Sequence, residues 1–134
     1  MLPNISNFIK DYVTKRENSF FKNDLINNQE KLATEIKGKS ILVIGGAGTI
    51  GSSYIKAALK YYPSELIVVD VNENGLTELT RTLRSDSNII VPENYLTYPM
   101  SFNSEVFYKM LASHGVFDVV ANFAAHKHVR SEKD

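Results

Sequence analysis

Apolar positions fall into two regimes along the chain. Up to residue 37 they recur at spacings of three and four, first at Ile5, Phe8, Ile9, Tyr12 and Val13, then at Phe20, Phe21, Leu25, Leu32 and Ile36. That period predicts two amphipathic helices, broken near Asn18 and Ser19, either of which could cap the second. From Ser40 onward, short apolar runs alternate with helical stripes. Ile41 to Ile44 reads as a buried strand, and Thr49 to Tyr61 as a helix with Ile50, Tyr54, Ala57, Ala58 and Tyr61 on one face, ended by Pro63. Leu66 to Asp70 reads as a second strand, and Leu76, Leu79, Thr80 and Leu83 as the next helical stripe. A weaker third strand is expected at Asn88 to Val91, a helix face at Phe107, Met110, Leu111 and His114, and a fourth strand at Phe117 to Asn122. Strands apolar on both faces, alternating with helices, predict an α/β fold: a Rossmann-like doubly wound parallel sheet of about four strands. The expected organisation is an N-terminal helical extension at 1–37 and a nucleotide-binding domain at 38–134.

Composition narrows the function classes. The 134 residues carry 15 basic and 15 acidic side chains, so no global field draws the chain to nucleic acid or an acidic membrane surface. Any anion must be recognised locally. With no cysteine, disulfides, thiolate nucleophiles and cysteine-based zinc sites are excluded. Apolar runs fall far short of the roughly 18 residues a membrane span needs, and the N-terminus lacks the apolar core of a signal peptide. A soluble, cytoplasmic protein is the expectation.

Local anion chemistry is concentrated in Ile41 to Gly51, ILVIGGAGTIG. Gly45, Gly48 and Gly51 fit GxxGxxG, and Gly46, Gly48 and Gly51 fit GxGxxG; both are weak patterns alone. Their position after a strand and at the start of a helix is what a dinucleotide-binding turn requires. Without a β-carbon the early glycines let backbone N–H groups approach phosphate oxygens, while Gly51 lets the helix lie close to the sheet. The first-turn N–H groups around Thr49 and Ile50, with the helix dipole, supply an anion site without a cationic side chain. A packing-only turn is the alternative. Asp70, 19 positions after Gly51, ends the second strand, where a carboxylate can accept from adenosine ribose hydroxyls and repel a 2′-phosphate. NAD is therefore expected over NADP, unless Asp70 merely caps the following helix. No Gly-Lys-Ser/Thr follows the glycines, so a Walker-type loop is excluded.

Asn122 to Val129, NFAAHKHV, leaves the fourth strand toward the same crevice, because ligands of open parallel sheets sit beyond the strands' carboxyl ends. Small side chains at Ala124 and Ala125 would let the cofactor pass close to the backbone. His126, Lys127 and His128 could hold substrate phosphates or assist proton transfer, or could form a solvated polar loop. As a metal site His-x-His lacks a third ligand, so none is expected. His114 reads as a surface or helix-end residue.

IGGAGTIGSSYIKAAL, IVVDVNENGLTEL and FDVVANFAAHKHV together resemble the extended short-chain dehydrogenase/reductase superfamily, specifically the polysaccharide-biosynthesis nucleotide-sugar 4,6-dehydratases and related epimerases. The resemblance spans about Lys39 to Val129. It implies a Rossmann domain holding NAD(P) and a UDP-sugar oxidised at C4, dehydrated across C5 and C6 and reduced again. By position, it implies Gly45, Gly48 and Gly51 at the pyrophosphate, Asp70 at the adenosine ribose, and Ala124 and Ala125 on the nicotinamide side. Lys127 and its histidine neighbours would meet the substrate. Two departures stand out. The family's acidic residue after the third strand, which contacts the adenine edge, has no counterpart in VPENYLTYPM, and no Lys has Tyr four places before it, so the catalytic Tyr-x-x-x-Lys pair is absent. The expectation is the NAD-binding portion of such an enzyme, inactive by itself. A stand-alone nucleotide-binding module is the alternative, as is an interaction domain whose helical N-terminus docks a partner or a second copy in a homo-oligomer.

Overall fold

The computed structural model describes residues 4–125, which divide into two compact units between Leu32 and Ala33, inside a helix. In the first unit, α1 (Ile5–Phe8) continues into a π-helical turn at Ile9–Thr14, closed by Lys15 in the left-handed conformation. Next come α2 (Lys22–Asn27) and α3 (Gln29–Ile36). The second expected helix is thus two, parted at Asn28, and Ser19 is not the cap: Phe21 holds that place, its N–H donating to Ser19 Oγ. Asn4 caps α1 by accepting from Ser6 and Asn7 N–H groups. No residue from 4 to 32 is buried, and nine large apolar side chains between Ile5 and Ile26 are 43–77% exposed.

The second unit is built on a four-stranded parallel sheet in the order β3-β2-β1-β4, with β1 at Ser40–Ile44, β2 at Glu65–Asp70, β3 at Asn94–Pro99 and β4 at Val119–Asn122. Register pairs Ile41 with Leu66 and Val119, and Ile44 with Val69 and Asn122, so β1, β2 and β4 end level. Side chains alternate across each strand. Ile41, Val43, Leu66 and Val68 face one layer, formed by α4 (Thr49–Leu59) and α5 (Glu73–Ser85) through Ile55, Ala58, Leu59, Leu76, Leu79 and Leu83. Leu42, Ile44, Ile67 and Val69 face the other, where α6 (Glu105–His114) contributes Phe107, with Met110 and Leu111 half-buried. Because both faces are covered, the two central strands read as unbroken apolar runs. This is a Rossmann-like α/β fold with an N-terminal helical extension.

Three expectations need correction. The core face of α4 is Gly51, Ile55, Ala58 and Leu59; Ile50 is 71% exposed and Ala57 is also on the outside. The third strand is Asn94–Pro99, six places later than Asn88 to Val91, which form a loop whose Ile89 and Val91 pack on the core from its rim. His114 ends α6 as expected, but it is half-buried: its ring stacks on Phe117 at 3.8 Å and its Nε2 lies 2.5 Å from Glu65 Oε1.

Candidate functional site

The level ends of β1, β2 and β4, with the residues after β3, enclose a cleft of about 300 Å³. Gly45, Gly48, Asp70, Ala124 and Ala125 all line it. Five residues chosen from separate parts of the sequence therefore share one opening.

Each glycine of the turn answers to a different constraint. Gly45 has φ +76°, and a β-carbon there would lie 2.6 Å from Ala124 N, so the turn after β1 and the exit of β4 touch backbone to backbone. The Gly45 N–H donates to Val69 O at 2.7 Å, continuing the sheet by one rung. At Gly51 a β-carbon would meet Gly45 O at 2.3 Å, which is the close helix-to-turn packing expected of the third glycine. Gly46 is filled by its neighbours, with Val68 Cγ1 2.2 Å from the β-carbon position. Gly48 differs. Its φ is −73°, and a β-carbon there would meet only Gly45 O, at an ordinary 3.5 Å. Among the described residues nothing requires glycine at this corner, yet it faces the cleft.

Gly48 is also the N-cap of α4, and no side chain caps that helix, whereas Asn72 caps α5 and Ser104 caps α6. The first turn of a helix leaves N–H groups without intrahelical acceptors. Thr49 and Ile50 carry two of them. Ile50 projects its side chain to solvent, so only its backbone can serve the corner.

Asp70 ties the turn to the second strand. Its Oδ2 accepts from Ala47 N–H at 2.9 Å and its Oδ1 from Asn72 N–H at 3.0 Å. It is not the cap of α5: that is Asn72, whose Oδ1 accepts from Gly75 N–H at 2.9 Å. Among the described residues each Asp70 oxygen has one protein donor, which leaves it a second lone pair for a hydroxyl. On the opposite wall, Phe123 packs on Tyr54 of α4 with ring centres 5.1 Å apart, and Asn122 Oδ1 accepts from Ala124 N–H. Burial raises the Tyr54 hydroxyl above its ordinary pKa, so it remains a phenol and serves as a packing surface.

Reading β3 too early hid one wall of the cleft. Met100, Ser101 and Phe102 follow the strand directly and line the opening. VPENYLTYPM is therefore largely the strand itself. His126, Lys127 and His128 lie outside the described residues. Among the described residues no helix is long and apolar enough to cross a membrane.

Residues 41–133 match the family model described as polysaccharide biosynthesis protein. The chain belongs to that family. The chain is similar to two curated relatives. The Probable polysaccharide biosynthesis protein EpsC of Bacillus subtilis is 26% identical over 117 residues, covering 86% of this chain and 19% of EpsC. The Uncharacterized membrane protein MJ1061 of Methanocaldococcus jannaschii is 46% identical over 50 residues, 37% of this chain and 15% of the relative. The chain thus spans less than a fifth of the length of these relatives. Among solved structures, Pen from Bacillus thuringiensis superposes with a TM-score of 0.57 at 26% identity, over 70% of this chain and 27% of Pen. These matches bear out the resemblance to polysaccharide-biosynthesis members of the extended short-chain dehydrogenase/reductase superfamily.

Proposed function

We propose that residues 38–134 form the NAD-binding part of a nucleotide-sugar 4,6-dehydratase or epimerase in surface polysaccharide biosynthesis, acting in the cytoplasm on a UDP-sugar. One observation carries the reading: Gly48 is bare although, among the described residues, a β-carbon there would meet nothing nearer than Gly45 O at 3.5 Å. A bare corner at an uncapped helix start is explained by a ligand that must approach it, and the diphosphate of a dinucleotide has the matching charge. Backbone N–H groups of Thr49 and Ile50 then donate to phosphate oxygens, so a protein of zero net charge needs no cation there. Asp70 accepts from the ribose hydroxyls and disfavours a 2′-phosphate, which selects NAD over NADP. Ser101 and Phe102 offer the adenine a hydroxyl and an apolar side chain, and Ala124 and Ala125 leave room beside the nicotinamide. A nicotinamide held there would supply reversible hydride transfer with the sugar. His126, Lys127 and His128 contact the sugar nucleotide. By itself the chain binds without turnover, because the acid/base work at a sugar hydroxyl needs a positioned pair of the Tyr-x-x-x-Lys kind, which its sequence lacks.

Thermal unfolding with NAD, NADP and ADP-ribose tests the proposal. A ligand at a hundred times its Kd stabilises the folded state by about 2.7 kcal/mol, roughly 10 °C for a domain of this size. NAD and ADP-ribose should both act and NADP should act less. No shift with any of the three at millimolar concentration would overturn the assignment.

A further inference from the structure

Gly75 lies in the first turn of α5, where helix propensity favours almost any other residue. Its backbone does not demand glycine, since its φ lies outside the left-handed region. The demand comes from its surroundings. A β-carbon on Gly75 would sit 2.9 Å from the Ala47 β-carbon and 2.7 Å from Asn72 Nδ2. Asn72 is the α5 cap, and Ala47 belongs to the glycine turn, where its N–H is held by Asp70. Asp70 thus holds the turn to β2 and Asn72 caps α5, while Gly75 is the point at which the start of α5 meets Ala47 of the turn.

We infer that Gly75 is a positioning residue for the phosphate corner. Its missing side chain allows α5 to approach Ala47, and that approach fixes the segment Ala47–Gly48 on which Thr49 and Ile50 present their N–H groups. Asn72 could swing aside to admit a methyl only by giving up its cap. Ala47 has no such freedom, because its β-carbon moves only with the backbone of the turn. A methyl at residue 75 therefore displaces the turn by a few tenths of an ångström, enough to lengthen the Ala47 to Asp70 hydrogen bond and misalign the donors behind it.

The consequence for nucleotide affinity rests on the NAD reading above, but displacement of the turn can be read without ligand. In Gly75→Ala, hydrogen exchange at the Ala47 amide should accelerate at least fivefold, and NAD affinity should fall on the order of tenfold, as expected when binding groups lose their alignment. Helix propensity acts in the opposite direction on stability, so affinity and melting temperature should not fall together. Ala47→Gly removes the opposing methyl, and in that background Gly75→Ala should change neither amide exchange nor affinity. Unchanged Ala47 exchange in Gly75→Ala would overturn the inference, and so would an equal effect in the Ala47→Gly background. If the native chain bound no NAD while Ala47 exchange still responded as described, the cofactor reading would fail and the packing role of Gly75 would stand.

Discussion

Substituting Gly45, Gly48 and Gly51 of the turn one at a time separates a turn made for packing from a turn made for a ligand. In Gly51→Ala the new methyl falls 2.3 Å from Gly45 O and 2.9 Å from Gly46 Cα, both backbone atoms that can yield only if α4 backs away from the sheet. Overpacking of this kind costs about 1–3 kcal/mol, and contact with a carbonyl oxygen puts Gly51→Ala toward the upper end. Gly45→Ala combines a contact of 2.6 Å with a φ of +76°, so it should be at least as damaging. Gly48→Val meets neither obstacle. Its φ of −73° suits any residue and the nearest atom is 3.5 Å from the β-carbon. The remaining cost is the loss of glycine at an N-cap, about 0.5–1 kcal/mol, or roughly 3–5 °C. Affinity should reverse this order. The valine branches occupy the corner where phosphate oxygens approach, and losing one charge-assisted hydrogen bond of about 1.5–3 kcal/mol weakens binding roughly tenfold to a hundredfold. Urea unfolding and NAD titration calorimetry on the same samples give both numbers. If Gly48→Val unfolds as readily as Gly51→Ala, the corner is a packing device; if it folds and binds NAD like the native chain, the diphosphate lies elsewhere.

Asp70→Ala should narrow the preference for NAD over NADP and lower stability by about 1–3 kcal/mol, since the Ala47 and Asn72 N–H groups lose their acceptor; an unchanged ratio of the two dissociation constants would move the ribose contact off this residue. The Asp118 carboxyl is held below its ordinary pKa of 3.8, first by the Ser40 N–H and then by the Ser40 hydroxyl, with burial opposing and Lys39 assisting. A lowered folded-state value means that its stabilisation is complete above 3.8 and is lost as pH falls toward the lowered value. Asp118→Asn should therefore flatten the acid limb of a stability profile below pH 4, and an unaltered limb would contradict the assigned bonds. Leu83→Ala, in a fully buried position, should cost about 2–5 kcal/mol, while Phe21→Ala, at 68% exposure, should stay within about 0.5 kcal/mol; equal costs measured by urea unfolding would mean that the N-terminal unit has a core of its own.

What the sequence reveals and conceals follows from where each element sits in the sheet. Strands β1 and β2 are central and covered on both sides, so ILVI and LIVV announce themselves, and with them the glycine turn and Asp70 at their ends. Strand β3 lies at the edge. NYLTYP mixes polar and apolar residues because no position along it is fully buried, and Leu96 is 44% exposed. The neighbouring loop has the more apolar spelling, since Ile89 and Val91 pack on the core from its rim, and a reader following hydrophobicity stops there. That six-residue slip concealed Ser101 and Phe102 as cleft residues.

In α4, Ile50 and Ile55 are equally apolar, and which of them faces the sheet is decided by Gly51. The helix is pressed against Gly45 at its glycine, so the buried stripe starts there and runs through Ile55, Ala58 and Leu59. A side-chain-based period overlooks a residue whose contribution is having no side chain. The same blindness applies to Gly75, which reads as a poor helix former until Ala47 is seen opposite it. In the N-terminal unit the period finds helical segments but not their breaks at Ile9 and Asn28, and it is silent on packing, because spacing records an apolar stripe and not what covers it. The turn glycines Gly45, Gly48 and Gly51 are legible by their place between strand and helix, and coordinates then separate the glycines whose β-carbon would strike the protein, at Gly45, Gly51 and Gly75, from Gly48, where the nearest described atom lies 3.5 Å away.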